Sequence, residues 1–234
     1  MKKINKVLQE IREVRQQFYQ ETKYMTVKER TEYRRQQREK IQDEIAKYGI
    51  RQMPQPPPTT ENNQKVKNEK MKKTKIYLDT SVVSMLDDSA LGILTKNFFE
   101  LVKQKDLYEL VVSPIVTDEI GNAKIEKREA IFRFVRTLNN LVELPSNEKS
   151  YDLAMYYVVE GILNLNHIED LLHVAYASLY ECDAIVSWNR KHIANSAKKQ
   201  KLNFCNFKYG YHPIIICTPQ YFVDNFGDNK NEKN

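Results

Sequence analysis

The distribution of apolar and polar residues divides the chain into three zones. In the first, Ile4, Val7, Leu8, Ile11, Val14 and Phe18 recur at i, i+3, i+4 and i+7. That spacing places them on one stripe of an α-helix. The pattern breaks around residues 23–25, and Thr26-Val27-Lys28-Glu29 then reads as a capping box opening a second helix. This helix carries Arg30, Arg34, Arg35, Arg38 and Lys40 but few apolar side chains, and Gly49 is suited to end it. Two such helices bury too little to fold alone and need a partner surface. The second zone, from residue 53 to about 73, holds Pro54, Pro56, Pro57 and Pro58 among polar residues and reads as an extended linker.

In the third zone strand-like and helix-like segments alternate. Strands are expected at 75–78, 108–112, 141–144, 184–188 and 214–217. Helices are expected at 90–104, 124–138, 147–163, from Asn166 to about Tyr180, and 190–203, with a last one opening at Thr218-Pro219. Ser113 with Pro114 forms a helix start, and Asn166 with Glu169 resembles a capping box. Alternating strands and helices imply a mostly parallel central sheet covered on both faces, a three-layer α/β/α domain over residues 74–226, followed by a polar tail at 227–234.

Charge sharpens this division. Residues 1–75 carry a net +10 and residues 76–234 a net −4, within a total of +6. A basic arm is joined to a mildly acidic domain. Such an arm is a solvated tail, a nucleic-acid-binding element, or a segment that docks on its own chain. Cys182, Cys205 and Cys217 are scattered and form no CxxC pair, so a reducing, cytoplasmic setting is expected and a zinc framework is not. No apolar run of membrane-spanning length is present, and no membrane partner is expected. GxGxxG is absent, which excludes a Rossmann dehydrogenase, and Ser81 stands where an aspartyl phosphatase would carry its second Asp.

In a parallel sheet, sites form beyond the carboxyl ends of the strands. Asp79 follows the strand at 75–78 directly, although a strand-end Asp also serves simply to cap the next helix. Asp118 and Glu119 follow the second strand, and the apolar Ile115 and Val116 favour Glu119 as the inward-facing member. Asp170 lies early in a helix that is apolar on most sides, where a carboxylate needs a partner or a metal, or else complements the helix N-terminus as Glu169 equally would. Asn189 falls at the same rim as Asp79 and is also a natural turn residue. Asp183, at the far end of its strand, is assigned a capping role. Converging carboxylates repel one another unless a hard cation lies between them, and Mg²⁺ or Mn²⁺ suits such oxygen ligands.

Four segments carry a resemblance. They are Ile76-Tyr77-Leu78-Asp79-Thr80-Ser81, Thr117-Asp118-Glu119-Ile120, Asp170-Leu171-Leu172-His173-Val174-Ala175-Tyr176-Ala177, and the stretch from Cys182 to Ile193. In order and spacing, residues 74–222 resemble the PIN-domain family, in particular the VapC-like toxins of type II toxin–antitoxin systems. That resemblance implies a Mg²⁺- or Mn²⁺-dependent endoribonuclease cutting RNA with a metal-activated water. It makes Asp79, Glu119 and Asp170 the metal ligands, and these three with Asn189 the candidate catalytic residues. The family often has Asp where Asn189 stands. Residues 1–52 resemble the small helical antitoxins that block such toxins, as if antitoxin and toxin were joined in one chain. The resemblance implies that the arm is a partner of the domain, within the chain or between chains. An arginine among Arg30, Arg34, Arg35 and Arg38 is then expected to reach the carboxylates. Pairing of the helical stripe with a second copy, giving a homodimer, is the other expectation.

Overall fold

The computed structural model describes residues 73–87, 89–104, 107–138 and 141–227, together with Glu29, Tyr33, Arg51 and Gln52. The expected first helix, most of the second and the proline linker lie outside the described residues. Glu29 and Tyr33 are both helical. Among the described residues no helix is long and apolar enough to cross a membrane.

The strands are β1 (Arg51–Gln52), β2 (Thr74–Leu78), β3 (Tyr108–Val112), β4 (Leu141–Glu143), β5 (Ala184–Val186) and β6 (Ile215–Cys217). Five of them form an all-parallel sheet in the order β4-β3-β2-β5-β6, and β1 adds a short parallel pairing on the outer edge of β4. The helices are α1 (Thr80–Val83), α2 (Ala90–Gln104), α3 (Pro114–Gly121), α4 (Ile125–Val135), α5 (Lys149–Val159), α6 (Ile168–Leu179), α7 (Ser196–Lys208) and α8 (Pro219–Phe226). Ile76, Tyr77, Leu78, Val111, Ile185 and Val186 are fully buried, as strands covered on both faces require. Helix α5 packs on α6, and α2 packs on α8. This α/β arrangement is compatible with three-layer α/β/α stacking.

The chain runs outward from β2 through β3 to β4, then crosses back to β5 and β6 on the other side of β2. The direction of winding reverses at β2, which leaves a crevice beyond the carboxyl ends of β2 and β5. Asp79 ends β2, and Ser187, Trp188 and Asn189 follow β5. At the opposite end, the Asp183 carboxylate accepts from the Lys75 backbone N–H at 2.7 Å, so Asp183 ties the two central strands together away from the crevice.

Local chemistry shifts several expected boundaries. The helix expected from residue 190 begins at Ser196, because Asn195 caps it by accepting from the Lys198 N–H at 3.2 Å. Asn166 and Glu169 do not form a capping box. Asn164 instead caps a 3₁₀ turn, Leu165–His167, and His167 becomes the residue at the start of α6. Ser113 occupies the N-cap position of α3 without capping it, because its hydroxyl is bonded to Tyr77.

Candidate active site

Asp79 is the N-cap of α1, and its placement follows from three short contacts. Oδ2 accepts from the Ser81 N–H at 3.2 Å, from the Ser81 hydroxyl, and from the Ser187 hydroxyl at 2.9 Å. The bland expectation for a strand-end Asp is therefore met, and it occupies only one oxygen. Oδ1 faces Nε2 of His173 at 3.3 Å. The same Nε2 lies 3.7 Å from Oε2 of Glu119, which α3 carries to the rim. Asp118 is also buried, but it is Glu119 that faces His173.

His173 is fully buried, three residues after Asp170 on α6. Its Nδ1 is 2.8 Å from the Tyr77 hydroxyl, which is 2.6 Å from Ser113 Oγ. A proton on Nε2, facing two carboxylates, makes both of those contacts attractive, and Nδ1 is left to pair with the Tyr77 hydroxyl. This tautomer is assigned from the network. Burial, opposed by the Ser113 hydrogen bond and reinforced by the Asp79 charge, pushes the Tyr77 hydroxyl well above its ordinary range. Tyr77 thus stays protonated and can donate.

Asp170 anchors a second cluster. Its Oδ1 accepts from the Asn189 side-chain amide at 2.8 Å. Its Oδ2 lies 2.8 Å from Nδ1 of His192 and 3.6 Å from Nδ1 of His167. The amide oxygen of Asn189 accepts from the His192 backbone N–H at 3.1 Å, which fixes the amide with its NH₂ toward Asp170. Asn189 is thus both the turn residue and the clamp on Asp170. The backbone N–H of Asn189 donates to Ser187 Oγ at 2.9 Å, and that hydroxyl donates to Asp79. One continuous hydrogen-bonded path therefore runs from Asp170 through Asn189 and Ser187 to Asp79, and His173 stands between Asp79 and Glu119 at 3.3 and 3.7 Å.

The four sequence-predicted residues Asp79, Glu119, Asp170 and Asn189 meet in this network. Sequence reasoning passed over His173, His167 and His192 as site members. The signal for two of them was the i−3 and i+3 spacing about Asp170, which puts all three on one helix face. It also passed over Glu143, fully buried at the end of β4, whose Oε1 accepts from the Thr117 hydroxyl at 2.9 Å.

The ligand atoms of His167, Asp170 and His192 lie within 4.8 Å of one another, close enough to hold a metal ion. No family model, curated protein or solved structure matches this chain.

Proposed function

We propose that the chain is a divalent-metal-dependent endoribonuclease of the PIN-type, VapC-like kind, restrained by its own N-terminal arm. One observation carries the reading. Asp79 and Asp170, linked by hydrogen bonds, and Glu119, joined to Asp79 through His173 at ion-pair distance, come from three separate stretches of sequence to the point where the sheet reverses its winding.

The donor types, three carboxylates, suit a divalent cation. Asp79 is wholly buried and Glu119 only 8% exposed, and both face Nε2 of His173, two buried negative charges that a cation would offset. Asp79, Glu119 and Asp170 would hold Mg²⁺ or Mn²⁺. A bound ion of this kind lowers the pKa of a coordinated water and neutralises charge on a phosphodiester. Ser81 and Ser187 fix one oxygen of Asp79 and leave the other toward the site. The Nε2–H of His173 offsets the repulsion between Asp79 and Glu119 when no cation lies beside them. Asn189 holds Asp170 in one rotamer. Trp188 braces the loop by donating through its backbone N–H to Ser81 at 2.9 Å and through its indole to Thr95 at 2.8 Å.

RNA is the favoured substrate because the family resemblance and the basic arm agree. A net excess of ten positive charges over residues 1–75 gives the arm and its linker affinity for phosphate. The arm also restrains the domain. The strand Arg51–Gln52 pairs with β4, so the chain is tethered to the sheet edge immediately after the expected helices. A tether of this length holds the helices at an effective concentration of about millimolar.

The test compares the full chain with residues 71–234 in an RNA cleavage assay containing Mg²⁺ or Mn²⁺. The shorter chain contains nearly the whole sheet and is expected to cut faster. Equal rates would overturn the restraint. A folded 71–234 protein that is inert on a broad RNA panel in both metals would overturn the nuclease reading. It would favour a second one, an RNA-binding protein on a silent scaffold, which the amide at position 189 supports by replacing a carboxylate.

A further inference from the structure

We infer that His167, Asp170 and His192 form a transition-metal site of the two-histidine, one-carboxylate type, selective for Mn²⁺, Co²⁺ or Zn²⁺ over Mg²⁺. This goes beyond the nuclease reading and stands without it, although the two share Asp170.

Two imidazole nitrogens turn toward the same carboxylate oxygen, at 2.8 and 3.6 Å. With metal–ligand distances of about 2.1 Å, adjacent ligands of an octahedral or tetrahedral ion stand roughly 3.0–3.5 Å apart. The observed separations bracket that range, so small side-chain rotations would suffice to admit the ion. The rings lie against each other, with centroids 3.9 Å apart, so neither swings freely. The supporting groups are also in place. Asn189 donates to Oδ1 of Asp170 and accepts from the His192 backbone, which fixes a ligand and the turn that carries a second ligand. Outer contacts of this kind preorganise metal ligands.

Access follows from exposure. The His167 side chain is 33% exposed and His192 11%, whereas Asp170 is 6% exposed, so the site opens on its histidine side. Solvent can supply the remaining ligands there. Selectivity follows from donor chemistry. Mg²⁺ takes oxygen ligands, while imidazole suits borderline ions, and a facial set of two histidines and a carboxylate leaves open positions.

The test uses the full chain stripped of metal. Mg²⁺, Mn²⁺ and Zn²⁺ are titrated by calorimetry, and spin-echo modulation of bound Mn²⁺ reports directly coordinated nitrogen. Parallel titrations use His167→Gln, His192→Gln, and His212→Gln as an exposed control. Zn²⁺ and Mn²⁺ are expected to bind more tightly than Mg²⁺ and to show the nitrogen signal. Each site variant should weaken Zn²⁺ binding by at least about 10-fold, the lower end of what losing even an outer-shell partner costs. The control should leave it unchanged. Metal-free melting curves matching the parent would establish that both site variants are folded. Absence of nitrogen coordination, or Zn²⁺ affinity unchanged in both site variants, would overturn the inference. Nitrogen-ligated Mn²⁺ without RNA cleavage would leave the site standing and remove the nuclease. Mg²⁺-driven cleavage with unaltered Zn²⁺ binding in the variants would do the reverse.

Discussion

Asp79 and Asp170 stand at the same edge of the sheet, and their surroundings differ in kind. Asp79 sits in the interior with His173, Tyr77 and Ser113, all four wholly buried. Its contacts include two serine hydroxyls, a backbone N–H and an imidazole. Asp170, itself buried, is clamped by Asn189 and faces His167, one-third exposed, and His192, 11% exposed. In the interior, low dielectric makes each contact strong and each omission costly. At the rim, water replaces a lost partner at little cost. The inner half thus ties chemistry to stability, and the outer half can change its ligand without risk to the fold.

The largest effect that could break this contrast is loss of the inner anion. Asp79→Ala strands two serine hydroxyls and His173 in the interior and is expected to cost about 3–5 kcal/mol in metal-free denaturant unfolding, since each buried donor left unsatisfied costs roughly 1–3 kcal/mol. A loss below about 1 kcal/mol would show that the inner half is not coupled in this way. Next comes Tyr77→Phe, which deletes the link between Ser113 and His173 and should cost about 1–3 kcal/mol. Stability equal to the parent would mean that the hydroxyl contributes nothing to holding His173. At the rim, His192→Gln should change metal-free stability by no more than about 0.5 kcal/mol, while weakening metal binding. A larger loss in the same unfolding measurement would place His192 with the inner half.

The smallest expected effect concerns the thiols. Burial pushes Cys205 up to about 11 and Cys217 up to about 12, which removes the reactive thiolate near neutral pH. Thiol-specific reagents at about pH 8 should label the native protein only as fast as it opens. Rapid stoichiometric labelling without unfolding would contradict the packing around α7 and β6.

The sequence made the sheet and the carboxylates legible for the same reason. Strand runs at 75–78 and 108–112 are apolar and bounded by residues that stop a strand, and whatever stops a strand in a parallel sheet stands at the functional rim. Position marks Asp79, Glu119 and Asn189, and the cost of a charge on an apolar helix marks Asp170. His173 escaped because one histidine among Leu171, Leu172, Val174 and Ala175 is indistinguishable from core. Its partner Tyr77 is just as ordinary on a buried strand. Neither residue carries a signal until the packing of α6 on β2 brings them within 2.8 Å. Helix α1 escaped because four residues cannot show a period. The start of α7 was displaced because Asn189 and Asn195 both offer caps, and only the contacts decide between them. The clamp role of Asn189 required knowing which way its amide points.

The proposed reaction is hydrolysis of RNA by water, directed by the carboxylates around Asp79. It is tested most directly by the chemical ends left on the RNA after treatment with residues 71–234 in Mn²⁺, beside the Asp79→Asn variant. Attack by water with departure of the 3′ oxygen leaves a 5′-phosphate and a 3′-hydroxyl, and the account predicts those ends from the parent and intact RNA from the variant. A 2′,3′-cyclic phosphate, or cleavage that persists in Asp79→Asn, would contradict it.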